Sequence, residues 1–233
     1  MFSAKSKKYF SVTSKHLHDK EVFLKNKKLY EDNVKAPMTL LLDKIKEEFQ
    51  NEIDSSIPLD AINISRPLYP SNKAESKGWI KSVAHFKISE KKTSLYEDNP
   101  CIYFQIGKNK ERNLLGIGLY MPSSRQMKRL REAFVEDFNY IDHILSSQSF
   151  SNTWHEFKGE RFKVFPRNCN KDDFMNPYLW QKQYFVSKHY SWKELQNKSF
   201  INQLNQDIRS GLQFFTWLRN VVGVSPRNKI ERF

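Results

Sequence analysis

No stretch of this chain approaches the roughly eighteen consecutive apolar residues that a membrane-spanning helix needs, so a helical membrane anchor is not expected. Cysteine is scarce: Cys101 and Cys169 are the only two. That is too few for a disulfide scaffold and fits a reducing cytoplasm, where each thiol acts as a small apolar residue. The basic start, Met1-Phe2-Ser3-Ala4-Lys5-Ser6-Lys7-Lys8, runs into Ser, Thr, Lys and His instead of an apolar core, which argues against a secretory signal. There is no phosphate-binding Gly-rich loop ending in Gly-Lys-Ser/Thr, no dinucleotide fingerprint and no nucleophile elbow. The commonest nucleotide-dependent and serine-hydrolase classes therefore lack their signatures, and no cofactor is expected. His16 with His18 and Asp172 with Asp173 are candidate ligand pairs, but no second set at metal-site spacing accompanies them. Internal repeats and low-complexity linkers are also missing, which favours a single domain over residues 19–233 behind a frayed arm at 1–18.

What the chain has in excess is positive charge. Its 39 Lys and Arg against 26 Asp and Glu leave a formal net charge of +13, enough to attract polyanions, nucleic acid first among them. The basic residues are mostly lysines spread along the sequence, a pattern that solvated surface positions also produce. Clustering on one face separates the two readings.

Apolar periodicity organises the rest. A first helix opens near Asp19, with Val22, Phe23, Leu24, Leu29 and Tyr30 as a loose apolar face, and Pro37 breaks it. A second follows with Leu40, Leu41, Ile45, Phe49 and Ile53 at helical spacing and closes at Pro58. The period then changes to two: Ala84, Phe86 and Ile88 alternate with Val83, His85 and Lys87, and Ile102, Phe104 and Ile106 alternate with Cys101, Tyr103 and Gln105. A charged loop from Gly107 to Asn113 leads into Leu114 through Met121, predicting an antiparallel hairpin. Gly116 and Gly118 share one face of its second strand, where a helix or a ligand can come close, helix packing being the commoner cause.

Ser123 and Gln126 form a capping-box pattern after Pro122, and Met127, Leu130, Phe134, Phe138, Ile141 and Leu145 make one stripe behind it. A strand is expected at Phe162 and Val164, then a polar loop from Pro166 to Pro177. Ser191 with Glu194 signals another cap. The last helix spans 199–222, its stripe formed by Phe200, Leu204, Ile208, Leu212, Phe215 and Leu218, with Gly223 as terminator. The expected fold is α+β: a mainly antiparallel sheet flanked by helices.

These segments resemble, in order, the domain-of-unknown-function 2461 family. The likeness runs from Phe23-Leu24-Lys25-Asn26-Lys27-Lys28-Leu29-Tyr30-Glu31 through Val34-Lys35-Ala36-Pro37 to Ile64-Ser65-Arg66, the hairpin from Asn99 to Pro122, and Arg125, Leu130 and Arg131. It resumes at Phe157-Lys158-Gly159-Glu160-Arg161-Phe162-Lys163, Pro166-Arg167, Lys171-Asp172-Asp173, Tyr178-Leu179 and Lys182. The resemblance implies no activity. In the basic segment Arg66 to Lys81 the family's Arg-Asp pair is missing, and its glycine-rich strand shrinks to Gly116-Ile117-Gly118, so any family site built there is altered in this chain.

Three readings of function follow. Arg66, Lys73, Lys81, His85 and Arg167 can converge as an anion site, because Arg and Lys give charge-assisted donors to phosphate or carboxylate; Trp79, Tyr103 and Tyr120 would add stacking platforms beside it. The bland counterpart is solvated surface charge, a packed strand histidine and core aromatics. Glu156-Phe157-Lys158, with Asp137 or Asp142 upstream, has the carboxylate and lysine order of some metal-dependent nucleases. Cys169, between Arg167 and Lys171, would be a reactive thiol if those cations lower its pKa. A protein-interaction component of a larger assembly is the third reading, marked by a large exposed apolar patch. The leading expectation is a cytoplasmic polyanion-binding module, nucleic acid its best candidate partner, with no catalysis of its own.

Overall fold

The hairpin forms as its alternation predicts. Strands β3 (Cys101–Gly107) and β4 (Leu114–Leu119) run antiparallel, with Tyr103 opposite Gly116 and Ile102 opposite Ile117. Buried Asn113 fixes the connection: its side-chain oxygen accepts the Gly107 N–H at 2.8 Å and its amide donates to the Tyr190 carbonyl at 3.2 Å. Strand β2 (Val83–Glu90) pairs with β3, β1 (Leu59–Ile62) with β2, and β5 (Tyr184–His189) with β4, giving a five-stranded antiparallel sheet in the order β1-β2-β3-β4-β5. The computed structural model describes residues 1–49, 52–53, 64–90, 98–154, 157–167 and 169–222, and the backbone alone of 59–62. Pro58, Glu156 and Gly223, each given a role above, lie outside the described residues.

Residues 1–18 are not a frayed arm. Helix α1 (Ala4–Thr13) starts at a reciprocal capping box between Ser3 and Ser6 and buries Tyr9 and Phe10, each 1% exposed. Phe2 reaches the sheet, its ring 6.3 Å from that of Phe104. The apolar triplet Phe2, Tyr9 and Phe10 outweighs the surrounding lysines, because burying each ring stabilises by about 1.5–3 kcal/mol.

Asp19 caps α2 (Lys20–Lys25), accepting the Glu21 N–H at 2.9 Å. The chain continues through α3 (Lys27–Tyr30), a π-helical turn at Glu31–Lys35, and α4 (Ala36–Phe49). Pro37 does not break this run. A proline has no N–H to donate and its ring crowds the carbonyl four residues back. The π turn relieves that by sending the Ala36 N–H to the Glu31 carbonyl. Leu24 and Leu40, assigned to apolar faces above, are 47% and 52% exposed; Met38 and Leu42 take the buried positions instead.

A short hairpin carrying α5 (Ser71–Lys77) precedes β2. After β4, Ser123 and Gln126 make the expected capping box of α6 (Ser124–Glu136), which Asp137 separates from α7 (Phe138–Ser146), followed by α8 (Gln148–Trp154). Phe162 and Val164 form no strand. Arg161 bridges Gln181 in isolation, and Val164 is 76% exposed. The Ser191–Glu194 box caps α9 (Trp192–Leu195), and α10 (Phe200–Val222) closes the described fold.

The sheet has two unlike faces. On one, Phe86, Ile88, Ile102, Phe104, Leu115 and Ile117 are at most 2% exposed. Helix α10 packs there, with Phe200 6.1 Å from Phe104 and Asp207 accepting from Lys188 at 2.8 Å, and Trp154 of α8 donates to Ser210 at 2.8 Å. On the other face His85, Lys87, Tyr103, Gln105, Phe185 and Ser187 are only half-buried. The architecture is α+β, an antiparallel sheet flanked by helices. Among the described residues no helix is long and apolar enough to cross a membrane.

Candidate anion-binding face

The half-buried face is floored by a strip without side chains. Register puts Lys87, Tyr103, Gly116 and Ser187 in one row, and Ser89, Cys101, Gly118 and Phe185 in the next. An added Cβ at Gly116 would find its closest neighbours at 3.6–4.0 Å, all of them atoms of β3, β4 and β5. Helix packing therefore does not explain this glycine. Gly118 is required for another reason: its φ of 135° disfavours any side chain, and a Cβ there would collide with the β5 backbone at Tyr184 and Phe185. Ring pairs flank the strip, His85 with Tyr103 at 5.3 Å on one side and Phe185 with Tyr120 at 5.2 Å on the other.

The β2 side of this face is cationic. Ser65 donates its N–H to the His85 carbonyl at 2.8 Å and accepts the His85 N–H on its hydroxyl at 3.2 Å, which sets Arg66 beside the strand. The chain then doubles back: Lys81 donates to Pro67 at 2.8 Å, Tyr69 to Trp79 at 2.9 Å, and Leu68 bridges Ile80. Gly78 makes the return, with φ 83° and no room for a Cβ against the Leu17 carbonyl. Lysines 77 and 81 stand 5.8 and 5.4 Å from the Tyr69 ring, and Lys20 stands 5.2 Å from the Trp79 ring.

These cations are close enough to act on one another. Burial, then Arg66, then Lys73 depress the Lys81 pKa. Burial, then Lys81, then Lys87 push His85 down to about 4, which makes it neutral at pH 7, and its Nδ1 is buried without a hydrogen-bond partner. Among the described residues no carboxylate forms an ion pair with Lys20, Arg66, Lys73, Lys77, Lys81 or Lys87. A set of like charges held together without counter-charge can bind an anion, which relieves their repulsion and accepts their donors.

Of the residues named from sequence, Arg66, Lys73, Lys81 and His85 come together, with the Tyr103 ring beside His85 at a tilt of 31°. Arg167 does not join them. The segment from Lys158 pairs with the outer edge of β5, Lys158 donating to the Phe185 carbonyl at 2.9 Å, and Arg167 is exposed beyond it. Three strand spacings, about 14 Å, separate β2 from β5. Trp79 belongs to the small hairpin and Tyr120, 57% exposed, to the far end of the glycine strip, so the three aromatic candidates are spread out and not one platform. Tyr69, Lys77, Lys87 and Phe185 were missed; Lys87 shares the parity of His85, a signal that was available in the sequence.

Of the other constellations, the nuclease pattern turns on Glu156, which lies outside the described residues. Asp142 accepts the Tyr178 hydroxyl at 2.6 Å and Asp137 the Trp217 indole N–H at 3.4 Å. Among the described residues no three His, Cys, Asp or Glu side chains gather as a metal site, His16, His18, Asp172 and Asp173 included. Cys101 and Cys169 form no disulfide, and burial raises the Cys169 pKa despite nearby Arg131, opposite to the expected activation.

Searches of curated proteins and of solved structures return no match. The sequence profile described as a conserved hypothetical protein, DUF2461, matches residues 11–217, which takes in the glycine strip, the cationic hairpin and most of α10, and the chain belongs to that family.

Proposed function

We propose that this protein is a non-catalytic module that binds a polyanion, single-stranded nucleic acid being the best fit, on the half-buried sheet face. One observation carries the reading: Arg66, Lys73 and Lys81 are close enough to shift the Lys81 pKa, yet no carboxylate pairs with them among the described residues. The His85–Tyr103 pair and the Phe185–Tyr120 pair lie to either side of the strip formed by Gly116 and Gly118. Phosphates placed at the cationic hairpin would leave bases free to stack across that strip. A cytoplasmic location belongs to the same proposal and agrees with two thiols that form no disulfide.

Fluorescence anisotropy with a labelled single-stranded oligonucleotide over a salt series tests it. Binding should weaken linearly in log–log form with added salt. No binding at low ionic strength removes the proposal.

A further inference from the structure

Beyond β5, at the edge of the sheet away from the cationic hairpin, the chain turns apolar residues toward solvent. The segment from Lys158 runs back along residues 178–185: Lys158 donates to the Phe185 carbonyl at 2.9 Å and Phe162 to the Trp180 carbonyl at 2.7 Å. This brings Phe165 against Phe174 and Trp180, with ring centroids 5.1–5.4 Å apart. The 3-10 turn Lys171–Met175 holds Phe174 and Met175 outward, 52% and 85% exposed, and Val164, next in the chain to Phe165, is 76% exposed.

The turn is fixed at both ends. Asn170 accepts the Asp172 N–H at 3.2 Å, and the Asn176 amide donates to the Phe134 carbonyl of α6 at 2.9 Å. The Trp180 indole N–H goes to the Phe174 carbonyl at 3.1 Å, so the one polar edge of the ring triad is satisfied within it. What faces solvent is apolar surface already held in place, which lowers the ordering cost of binding. Aromatic and methionine side chains are also what interface cores are enriched in.

Charge identifies what covers this surface. From Lys158 to Lys182 six Lys and Arg stand against three Asp and Glu. Glu160 is taken by Lys182 at 2.7 Å, whereas Lys163, Arg167 and Lys171 are exposed and form no ion pair among the described residues. A second copy of this chain, with its net charge of +13, would bring like charge to like. The triad rings meet at 52–82°, so they offer no parallel ring faces for successive bases, and Val164 and Met175 carry no ring at all. We infer that this surface docks an acidic polypeptide segment, whose apolar side chains lie on Val164, Phe174 and Met175 and whose carboxylates meet Lys163, Arg167 and Lys171. The site is independent of the polyanion face.

Selection from a displayed random-peptide library on the full chain tests this. Enriched peptides should interleave Asp and Glu with Leu, Phe or Trp. One of them, synthesised with a fluorescent label and followed by anisotropy, should bind a Val164→Ser/Met175→Ser chain at least about tenfold more weakly than the native chain, the equivalent of about 1.4 kcal/mol. Both changed side chains are exposed, so the fold is kept. Arg167→Gln/Lys171→Gln should weaken binding several-fold and flatten its salt dependence, while Arg66→Gln/Lys73→Gln should leave it unchanged. No enrichment, enriched peptides without acidic residues, or a Val164→Ser/Met175→Ser chain that binds like the native one would each overturn the inference. Weakening by Arg66→Gln/Lys73→Gln would overturn it by placing the peptide at β2, and weaker oligonucleotide binding in the Val164→Ser/Met175→Ser chain would overturn it by assigning the surface to nucleic acid.

Discussion

Replacing Arg66 and Lys73 together by glutamine should move stability and binding in opposite directions. Both side chains are exposed, while Lys81 is half-buried and bears their repulsion. Two unit charges about 4 Å apart in water interact by about 1 kcal/mol; after discounting for solvent screening, neutralising the two neighbours should relieve Lys81 by roughly 0.5 kcal/mol. For a chain of this size that corresponds to a melting temperature unchanged or raised by about 1–2 °C at low salt. The Lys81 pKa, followed by side-chain NMR, should rise toward its ordinary value. Against this, loss of two charge-assisted phosphate contacts should weaken oligonucleotide binding about tenfold or more.

The salt series supplies the decisive number. Each phosphate contact to a single strand contributes about 0.7 to the log–log slope, so the double variant should be shallower by about 1.4. Two outcomes refute the reasoning. An unchanged slope means the pair does not contact the strand, whatever happens to affinity. A melting temperature lowered by several degrees means the two cations support the fold and are not held at its expense.

Half-buried His85 should make stability depend on pH. The His85 pKa is about 4 in the fold against about 6.5 in the unfolded chain, so the unfolded state takes up the proton first as pH falls. Stability is complete above about pH 6.5, declines toward pH 4 and levels off below, a loss of about 2 kcal/mol after allowance for partial solvent screening; urea titrations of native chain and His85→Gln should diverge over that window, and parallel curves would contradict it. Asp207→Ala should cost about 3 kcal/mol or more, because Asp207 accepts from Lys188 at 2.8 Å and from Tyr190 at 2.7 Å inside the core. The Asp207→Leu/Lys188→Met pair should cost less than the single change in the same urea assay, since no charge is left stranded, and a larger loss would count against that account. Gly118→Ala should lower the melting temperature by several degrees through its positive φ, whereas Gly116→Ala should change it little and still weaken oligonucleotide binding; equal thermal losses at both sites would contradict the assignment.

Elements whose own residues carry the pattern were readable. The β3–β4 hairpin, the two capping boxes at Ser123 and Ser191, and the stripe of α10 all follow from spacing that needs no distant partner. Elements decided by tertiary contact were not. The run Tyr184–His189 alternates, but Lys188 stands at a core position, where only Asp207, far along α10, makes it acceptable. Residues 1–13 look like a basic tail until Phe2, Tyr9 and Phe10 meet Phe104, Tyr30 and Trp192 across the fold. Conversely, Phe162 and Val164 have the local composition of a strand but only an isolated bridge nearby.

The cationic site divides along the same line. Lys81 and His85 are four residues apart on the approach to and along one strand, and Arg66 is tied to that strand through its neighbour Ser65, so their meeting is encoded within twenty residues. Arg167 is a hundred residues further on, and its place depends on which edge of the sheet its segment joins. Lys158 pairs with β5, so the loop is delivered to the edge opposite β2. Composition and spacing cannot choose an edge; strand order does, and strand order required β5, the element the sequence pattern left unrecognised. The same omission hid Phe185, and with it the second ring pair beside the glycine strip. What looked in sequence like one convergent set of cations is therefore a compact cluster at β2, and the remaining basic segment lies beyond β5 with its own aromatic group of Phe165, Phe174 and Trp180.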